Sequence, residues 1–512
     1  MHFDMSRENC GWGRAAARSG EPSRWPRRGG CRHRVPWSMA GLLVGSALAL
    51  ASCATRVPQV LTPQILPRAF TSRAFTSQEP PTWPRADWWQ DFGSLELSDL
   101  IQAAQANNRD LAAASARIME AQAQTFIARS ALLPQLTLPA QAVRSNTSGT
   151  SSTGTLPTVS TGNSFGLSAA GSYELDVWGL SRANVRAAQE TLKSARFAQQ
   201  ALALQITASV AQGYFTVLAL RERIAIANED IKAINGILDV IKLRVSTGTS
   251  SRLGLAQEQA QLESAQAQLP ILEQAELEQR VALAVLLGRP PEAFDVGAQN
   301  SDGIRAPEVA PGIPSQLLLR RPDVAQAEAN LASAHANLDA ARAAFLPQFS
   351  LTGTAGFSGT ALSTLLRSPN FLWNAGANLV GTIFDGKLIG QKKLAYATQK
   401  ELVADYESAV LNAYADVENT LGQVRNNAEA ANHLRREVDA AREAFEISNL
   451  QYRQGTADLL GVLQAQQTLF AARDQLAQTQ LVFMNAIVQL FAALGGGWAE
   501  PPMDRTQFSA AE

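Results

Sequence analysis

The chain has 512 residues, with 44 Lys and Arg against 45 Asp and Glu, and a formal net charge of −1. Its first 52 residues hold eight arginines and three acids, which leaves 36 basic and 42 acidic residues in the remainder. This length is enough for a large core or several domains, and the acidic remainder excludes an extended nucleic-acid-binding surface.

The amino-terminal segment has the pattern of an export signal. Arginines up to Arg34 precede an uncharged apolar run at 39–52, which is too short to be a membrane-spanning helix. It ends at "LASC" (50–53), which resembles a bacterial lipobox. The resemblance implies a diacylglycerol and an N-acyl chain on Cys53, and Ala54 after it favours the outer membrane. An ordinary signal peptide followed by an incidental cysteine is the alternative.

The other two cysteines, Cys10 and Cys31, lie upstream of the predicted cleavage site, so the mature chain has no disulfide partner for Cys53. Outside 39–52 no stretch reaches about 18–20 uninterrupted apolar residues. A lipidated export product of this kind either lies on a membrane or crosses it as a closed β-barrel.

The chain contains an internal repeat. Residues 108–138 align without a gap to 321–351 at an offset of 213, and later matches such as Gly248 with Gly455 have an offset of 207. The six lost residues fall near the Ser/Thr/Gly-rich stretch 144–164, which we predict to be a surface loop because loops tolerate insertions.

Each repeat is predicted to contain a helix, two strands, a long helix and a shorter helix. The predicted organisation is a signal peptide (1–52), a lipid-anchored amino-terminal extension (53–94), a first repeat (95–300), a linker (301–313), a second repeat (314–498) and a carboxyl-terminal tail (499–512). The predicted strands are about 134–143, 164–178, 348–357 and 371–384, and the predicted helices are about 95–131, 180–246, 252–287, 387–453 and 457–494.

The four strands alternate apolar and polar residues, which fits a membrane barrel with a wet lumen or a soluble sheet half buried on a core. Four strands cannot close a barrel, and open edges are not tolerated in lipid. If the strands span a membrane, several chains must share one barrel, and three chains would supply twelve strands.

The helices are unusually long. Between 180 and 246 there is no proline, and glycine occurs only at 213 and 236, which predicts a helix about 100 Å long. Two shorter helices laid end to end would match its length. Apart from a heptad run at 231–245, these helices are rich in Ala and Gln without a bulky core, so we predict a wall that is wet on both sides; a soluble bundle is the alternative.

Several motifs together resemble one family. They are "WWQDFGSLELSDLI" (88–101), "LLLRRPDVAQAE" (317–328), "LPQFSLTG" (346–353), "IFDGKL" (383–388), "YRQGTADLLGVLQAQQTLF" (452–470) and "ALGGGW" (493–498). The chain resembles the outer membrane factors, the TolC/OprM-like channels of tripartite efflux systems, in their NodT-like lipoprotein branch.

The resemblance implies a mainly α fold with membrane β-structure: a homotrimer whose shared twelve-stranded barrel in the outer membrane continues as a periplasmic α-helical barrel. A girdle would form from the chain ends and the segment near 290–315. The helical tip would dock on a periplasmic adaptor bound to an inner-membrane pump, with an RND-type pump expected. The protein would be a passive conduit for drugs or other small toxic solutes; an exit channel for type I protein secretion is the alternative cargo.

The repeat and the resemblance give roles to particular residues. The turns "VSTGTSSRLG" (245–254) and "YRQGTADLLG" (452–461) would form the tip that contacts the adaptor, with Gly248 and Gly455 reversing the chain and Thr249 and Thr456 capping the next helix. Candidate residues for a constriction, or for an ordinary solvated face, are Asn449, Arg453 and Asp458. Pro134 and Pro347 would end helices where the barrel begins.

Catalysis is not expected. His335 and His433 are the histidines that remain after signal removal, and neither has metal-ligand spacing or a neighbouring cysteine. No phosphate loop or nucleophile elbow occurs, so the sequence predicts no catalytic residue, metal or cofactor apart from the lipid on Cys53. A lipid-anchored periplasmic helical scaffold or adaptor is the alternative of another class.

Overall fold

The computed structural model describes residues 84–149, 158–249, 251–301, 303–307 and 320–498. The predicted signal peptide, Cys53 and most of the extension 53–94 lie outside the described residues, as do the tail 499–512 and part of the linker 301–313.

The described chain is mainly helical, with one small antiparallel sheet. The helices are α1 (Leu95–Asn107), α2 (Arg109–Ser130), α3 (Leu180–Ser246), α4 (Arg252–Leu286), α5 (Pro322–Ala343), α6 (Gly386–Gln454) and α7 (Leu459–Ala493). The strands are β1 (Gln135–Thr137), β2 (Ala140–Gly149), β3 (Thr158–Leu175), β4 (Gln348–Gly359) and β5 (Phe371–Val380). The order helix, strands, long helix, helix therefore occurs once in 109–286 and again in 322–493.

The two long helices extend without a break over 67 and 69 residues. At about 1.5 Å per residue each is about 100 Å long. The second begins at an Asp385 cap, whose carboxylate accepts a hydrogen bond from the Lys387 N–H at 2.7 Å. On α3 the apolar heptad faces inward, since Ile234, Leu238 and Ile241 are all buried.

The helix predicted over 95–131 is divided into two, which sequence periodicity did not reveal. Asn108 interrupts it: its side-chain oxygen accepts from the N–H groups of Asp110 and Leu111, at 2.9 and 3.1 Å. The side-chain nitrogen donates to the carbonyl of Leu286 at 2.9 Å. The buried Asn108 side chain thus caps the start of α2 and also binds a carbonyl at the end of α4. These bonds fix the point at which α1 ends and α2 begins.

The sheet is a meander in which β2, β3, β4 and β5 are neighbours in that order. The strand predicted at 134–143 is interrupted near Pro139, which has no N–H to donate, so β1 and β2 are separate pieces on the same edge of β3. The Pro139 carbonyl still accepts from the Ser168 N–H at 3.0 Å, which keeps both pieces in register.

The loop predicted at 144–164 is wrong for most of its length. β2 continues to Gly149 and β3 begins at Thr158, so the hairpin is longer than the apolar alternation indicated. Threonine is enriched in strands. A Ser/Thr-rich composition therefore does not distinguish a loop from a strand, and the loop prediction rested on that composition. The predicted strands at 164–178 and 371–384 also end earlier, at Leu175 and Val380.

Each of the strands β1, β3, β4 and β5 adjoins a helix along the chain, and the helices pack side by side in the same order as the strands that they join. α2 leads into β1, β3 into α3, α5 into β4 and β5 into α6. Correspondingly α2 packs on α3, α3 on α5 and α5 on α6. In the other half of the helical layer α4 packs on α3, α3 on α7 and α7 on α6. The outermost elements at the sheet end are therefore α2 with β1 and β2 on one side, and α6 with β5 on the other.

A bulky core occupies the middle of the helical layer, contrary to the predicted wall without one. The Trp88 ring stacks on Phe491 with centroids 5.0 Å apart, and Phe92 packs against Phe215 at 5.1 Å. Trp88 and Phe92 are fully buried. The short 3-10 helix Trp88–Phe92 thus fastens the amino-terminal segment to α3 and α7.

The "ALGGGW" motif has a steric origin. Gly495 and Gly497 both have positive φ, 87° and 74°. A Cβ on Gly495 would collide with the carbonyl of Arg320, and one on Gly497 with the backbone of Arg85. Only glycine lets the end of α7 pass this close to the two other segments.

Two of the described helices, α3 and α7, contain stretches long and apolar enough to cross a membrane. About half of each stretch is buried within the protein. Ile487, Leu490 and Phe491 of α7 belong to the core around Trp88, so burial in that core accounts for their apolar character.

Candidate functional site

The register of the sheet collects its apolar side chains on one face. Leu175 pairs with Phe349 and Phe349 with Leu379; Tyr173 pairs with Leu351 and Leu351 with Ala377. At the other end of the strands Leu167 pairs with Phe357 and Phe357 with Phe371. Since directly paired residues lie on the same face, this face is apolar across β3, β4 and β5.

The opposite face is largely polar. Its rows are Ala170, Thr354 and Asn374; Ser172, Thr352 and Gly376; and Glu174, Ser350 and Asn378. A shift of one residue in any pairing would mix the two faces, so the polar-apolar separation specifies the register.

Nothing in the described chain covers the apolar face. Trp373 is 73% exposed, Leu379 59% and Leu351 42%. β2, β4 and β5 have 10, 12 and 10 residues, and a tilted strand needs about 9–11 residues to cross the apolar part of a bilayer. Aromatic residues stand near both ends of this face, with Phe357 and Phe371 in contact at 5.4 Å, as in the girdles of membrane barrels.

The predicted junction prolines lie where α2 and α5 give way to strands. Pro134 follows the last turn after α2, and Pro347 precedes β4 directly. The indole N–H of Trp178 donates to the Pro347 carbonyl at 2.6 Å. That bond links the start of α3 to the end of α5, which fixes the two repeats to each other where sheet becomes helix.

The two predicted tip turns have the same local geometry. Gly248 and Gly455 adopt φ of 73° and 79°. The N–H and hydroxyl of Thr249 both donate to the carbonyl of Arg244, at 2.8 and 3.1 Å. Thr456 does the same to the carbonyl of Gln451, at 2.9 and 3.0 Å. Each glycine-threonine pair therefore satisfies carbonyls at the end of a long helix.

Our prediction that the two threonines cap the following helices is wrong. Ser251 caps α4 by accepting from the Gly254 N–H at 3.3 Å, and Asp458 caps α7 by accepting from the Gly461 N–H at 3.1 Å. The sequence did contain this signal, because Ser and Asp are preferred caps and each stands immediately before or at the start of a helix.

The candidate constriction residues differ in their surroundings. Asn449 is half-buried near the end of α6, whereas Arg453 and Asp458 are exposed. Asp458 has a structural role as the α7 cap. The Arg453 carbonyl accepts a hydrogen bond from Arg244 at 3.1 Å. All three residues lie near the turn between α6 and α7, and no hydrogen bond among the described residues joins their side chains to one another.

Arg244 and Tyr452 form a contact that sequence reasoning missed. The guanidinium of Arg244 lies 4.3 Å from the Tyr452 ring centroid and donates to the Tyr452 carbonyl at 2.7 Å. It joins the hairpin α3–α4 to the hairpin α6–α7. Because the partners are 208 positions apart, no local pattern could have indicated it.

A second missed pair is Glu258 of α4 and Gln466 of α7. Both are fully buried, and the Glu258 carboxyl and the Gln466 amide have no polar partner other than each other. Burial raises the pKa of Glu258 to about 7, partly offset by the nearby Gln466 amide. The surrounding Ala/Gln-rich sequence resembles an exposed helix and gave no signal of burial.

Two reciprocal ion pairs fix α3 against α7 farther from the turns. Arg223 donates to Asp474 at 2.6 Å, and Arg473 to Asp230 at 3.1 Å. Burial raises the pKa of Asp230 to about 7 although Arg473 opposes that shift. Each helix supplies one cation and one anion, so a sliding of one helix by a turn would break both pairs.

Among the residues that the structure describes, no group of three or more His, Cys, Asp and Glu could hold a metal ion. His335 contacts Gln399 at 2.8 Å and His433 contacts Arg436 at 3.1 Å.

Known proteins share both the sequence and this arrangement. The model of the outer membrane efflux protein family matches residues 100–289 and again 313–496. The chain belongs to this family. The two matches coincide closely with the two predicted repeats, and the resemblance inferred from the motifs is confirmed.

Individual relatives cover most of the chain. It is 38% identical over 418 residues to the pyoverdine export outer membrane protein OpmQ of Pseudomonas aeruginosa, covering 80% of this chain and 87% of OpmQ. It is 30% identical over 419 residues to the probable outer membrane lipoprotein SilC of Salmonella typhimurium, covering 81% and 88%. The Campylobacter jejuni outer membrane channel CmeC superposes with a TM-score of 0.79 at 26% identity, covering 85% and 93%.

Membership in this family confirms the predicted location in the outer membrane, and it agrees with the expectation that the chain is a transport protein and no enzyme.

Proposed function

We propose that three copies of the chain form the outer membrane exit channel of a tripartite efflux system, a passive conduit for drugs or other small toxic solutes. The observation that carries the proposal is the open sheet with an uncovered apolar face, in which β1 and β2 together form one edge strand beside β3, β4 and β5, which makes four strands per chain.

The sheet needs partners because its two edges are unpaired within the described chain. β2 and β5 are the edge strands, and an open edge exposes N–H and C=O groups that lipid cannot satisfy. Membrane barrels begin at about eight strands. Three copies joined edge to edge supply twelve, with the apolar face toward lipid and the Ser/Thr-rich face toward a wet lumen.

The outer helices carry matching exposed side chains. On α2 the buried residues Leu111, Ala121 and Thr125 face α3, which leaves Phe126 and Ile127 exposed away from it. On α6, Ile389 and Leu394 are exposed. One such edge meeting the other edge of a second copy is a heterologous contact, and three of them close a ring.

The helical end opposite the sheet would contact the partners. Gly248, Thr249, Gly455 and Thr456 are exposed at the ends of the hairpins, where a periplasmic adaptor could bind. The adaptor would connect the channel to an inner-membrane pump of RND type. Asn449, Arg453 and Asp458 lie near the same turn and are the proposed lining of the resting constriction.

The lipid and the cargo are proposed on the sequence and the relatives. Acylation of Cys53 would anchor each chain to the outer membrane. The relative SilC, whose match covers 81% of this chain, is described as a probable outer membrane lipoprotein. OpmQ is described as a pyoverdine export protein, which supports a small organic solute over a secreted protein as cargo.

Disruption of one outer helix tests the assembly. Phe126→Glu places a charge on the proposed contact, and Leu95→Glu places one on an 85% exposed side chain in the first turn of α1, where a carboxylate is favourable. In outer membranes treated with an amine cross-linker, the wild type and Leu95→Glu should give trimers and Phe126→Glu monomers. If all three proteins gave trimers, the proposed edge contact would be refuted. If all three gave monomers, the trimer itself would be refuted.

A further inference from the structure

The turn end of the helical layer contains a buried carboxyl group that the proposed function does not use. Glu258 is six residues into α4 and Gln466 is seven residues into α7, so both lie about 10 Å along their helices from the turns. The Glu258 side chain is 0% exposed, and so is that of Gln466. The pair joins the two hairpins, because α4 belongs to the first and α7 to the second.

The surroundings of this pair are apolar. Ile237 and Ile241 of α3, Tyr452 of α6 and Val462 of α7 form one buried cluster at this end, with Leu255 and Leu459 packed against it. Leu459 lies so close to Gly254 that a Cβ there would collide with it. The Tyr452 hydroxyl is likewise buried without a hydrogen-bond partner. The hairpins therefore meet through a tight interface containing polar atoms that are not satisfied.

Ionisable groups on the packed helices do not compensate the carboxyl. Arg244 of α3 is half-buried, but its guanidinium is engaged with Tyr452. The other ionisable side chains near this end are exposed: Asp239 and Lys242 of α3, Arg252 and Glu263 of α4, Glu446 and Arg453 of α6, and Asp458 of α7. A charged Glu258 would be buried without a counter-ion among the described residues and with the Gln466 amide as its single polar neighbour, which is strongly unfavourable.

We propose that Glu258, facing Gln466 across the hairpin interface, is a proton-operated lock on the periplasmic end of the channel. With the carboxyl group neutral the two hairpins stay together. When it ionises, hydration of the carboxylate favours any movement that separates α4 from α7 and admits water. The lock regulates the proposed channel and so rests on that function.

The direction of the pH effect follows from the pKa. Burial raises the pKa of Glu258 from its usual 4.5 to about 7 in the closed interface, and hydration after separation would restore the usual value. The closed form therefore binds the proton more tightly, and its advantage is complete below pH 4.5 and lost as pH rises through about 7. The closed-to-open ratio should fall by about 100-fold over this range.

Conductance of the purified full-length protein in planar lipid bilayers tests the lock between pH 5 and 8. The wild type should conduct more as the pH rises. Glu258→Gln has the same shape and no titration, and its conductance should not change with pH over this range. Glu263→Gln, an exposed neighbour on the same helix, should keep the wild-type response. Gln466→Leu removes the amide that lowers the pKa, so its transition should move to higher pH.

The outcomes separate the lock from the proposed function. A pH response in Glu258→Gln equal to that of the wild type overturns the lock while leaving the channel intact. If wild-type protein that is correctly assembled forms no pores at any pH, the channel itself is refuted. If Glu258→Gln does not assemble, the shift expected of Gln466→Leu decides: an unmoved transition overturns the lock.

Discussion

The guanidinium of Arg244 is held against Tyr452, 4.3 Å from the ring centroid, and it donates to the Tyr452 carbonyl at 2.7 Å and to the Arg453 carbonyl at 3.1 Å. One side chain from the end of α3 therefore covers the last turn of α6. This contact and the Glu258–Gln466 pair join the same two hairpins.

Removal of that contact should loosen the closed end. Arg244→Ala loses a cation–π contact worth about 0.5–2 kcal/mol and two hydrogen bonds to carbonyls at a helix end. We expect higher resting conductance in planar bilayers and greater sensitivity of cells to large antibiotics. The exposed Lys242, two positions earlier, serves as the control: Lys242→Ala should behave as the wild type. Equal conductance in both variants would show that Arg244 does not restrain the end.

Substitutions on the two faces of β5 should have opposite consequences. Ala375 lies in the middle of the apolar face and Asn374 beside it on the polar face. Lysine on the lipid side near the bilayer centre costs about 2–4 kcal/mol, whereas lysine in a wet lumen costs little. Ala375→Lys should therefore reduce the amount of assembled protein in outer membranes, and Asn374→Lys should not.

The reverse result, with Asn374→Lys excluded from the membrane and Ala375→Lys tolerated, would mean that the sheet is turned the other way. Equal tolerance of both would favour a soluble sheet.

Glycine at 497 is expected to be irreplaceable. Gly497→Ala must adopt a positive φ and clash with the backbone of Arg85, so we expect a loss of more than about 1 kcal/mol in stability and a lower Tm. Gly386, at the start of α6, has open space around its would-be Cβ. Gly386→Ala should leave the Tm unchanged or raise it slightly, since Ala is the better helix former. Matching losses for the two variants would contradict the steric reason.

Cys53 is expected to carry the lipid. Cells grown with labelled palmitate should incorporate label into the wild-type protein and lose it in Cys53→Ala, because the thiol and the new amino terminus at this position would be the sites of acylation. Retention of label in Cys53→Ala would place the acyl chains elsewhere, and an unlabelled wild type would contradict the lipoprotein.

Substitutions at the proposed constriction should change the passage of ions. Asn449→Asp adds a charge to a half-buried position, and we expect a change in conductance and in cation preference in planar bilayers. Asp458→Asn keeps the capping oxygen of α7 and removes the charge, so it tests charge separately from structure. If neither variant alters conductance, the residues belong to an ordinary solvated face.

Periodicity and the absence of helix breakers predicted the regular parts of the fold. The bounds of α3 follow from a run without proline. The apolar face of the sheet follows from the alternation of apolar and polar residues along each predicted strand. The motifs also indicated the family. Local rules failed where a distant segment decides the structure, as at Asn108, whose bond to Leu286 maintains the helix break.

The site was predicted less completely. The glycines of the two turns were identified because positive φ leaves few alternatives, whereas the threonines were assigned to the wrong helices. The partners of Glu258 and Arg244 lie on the other hairpin, which is near them only in the folded chain. Burial of a carboxyl group in an Ala/Gln-rich helix has no signature in sequence. The long hairpin of β2 and β3 was missed because polar strands in water need no apolar alternation.

Native mass spectrometry of the mature protein extracted from outer membranes would show whether three chains share one barrel. We expect a mass three times that of one acylated chain, with no smaller assembly under gentle detergent conditions. A single-chain mass from protein that is fully folded would contradict it, since four strands alone cannot close in lipid.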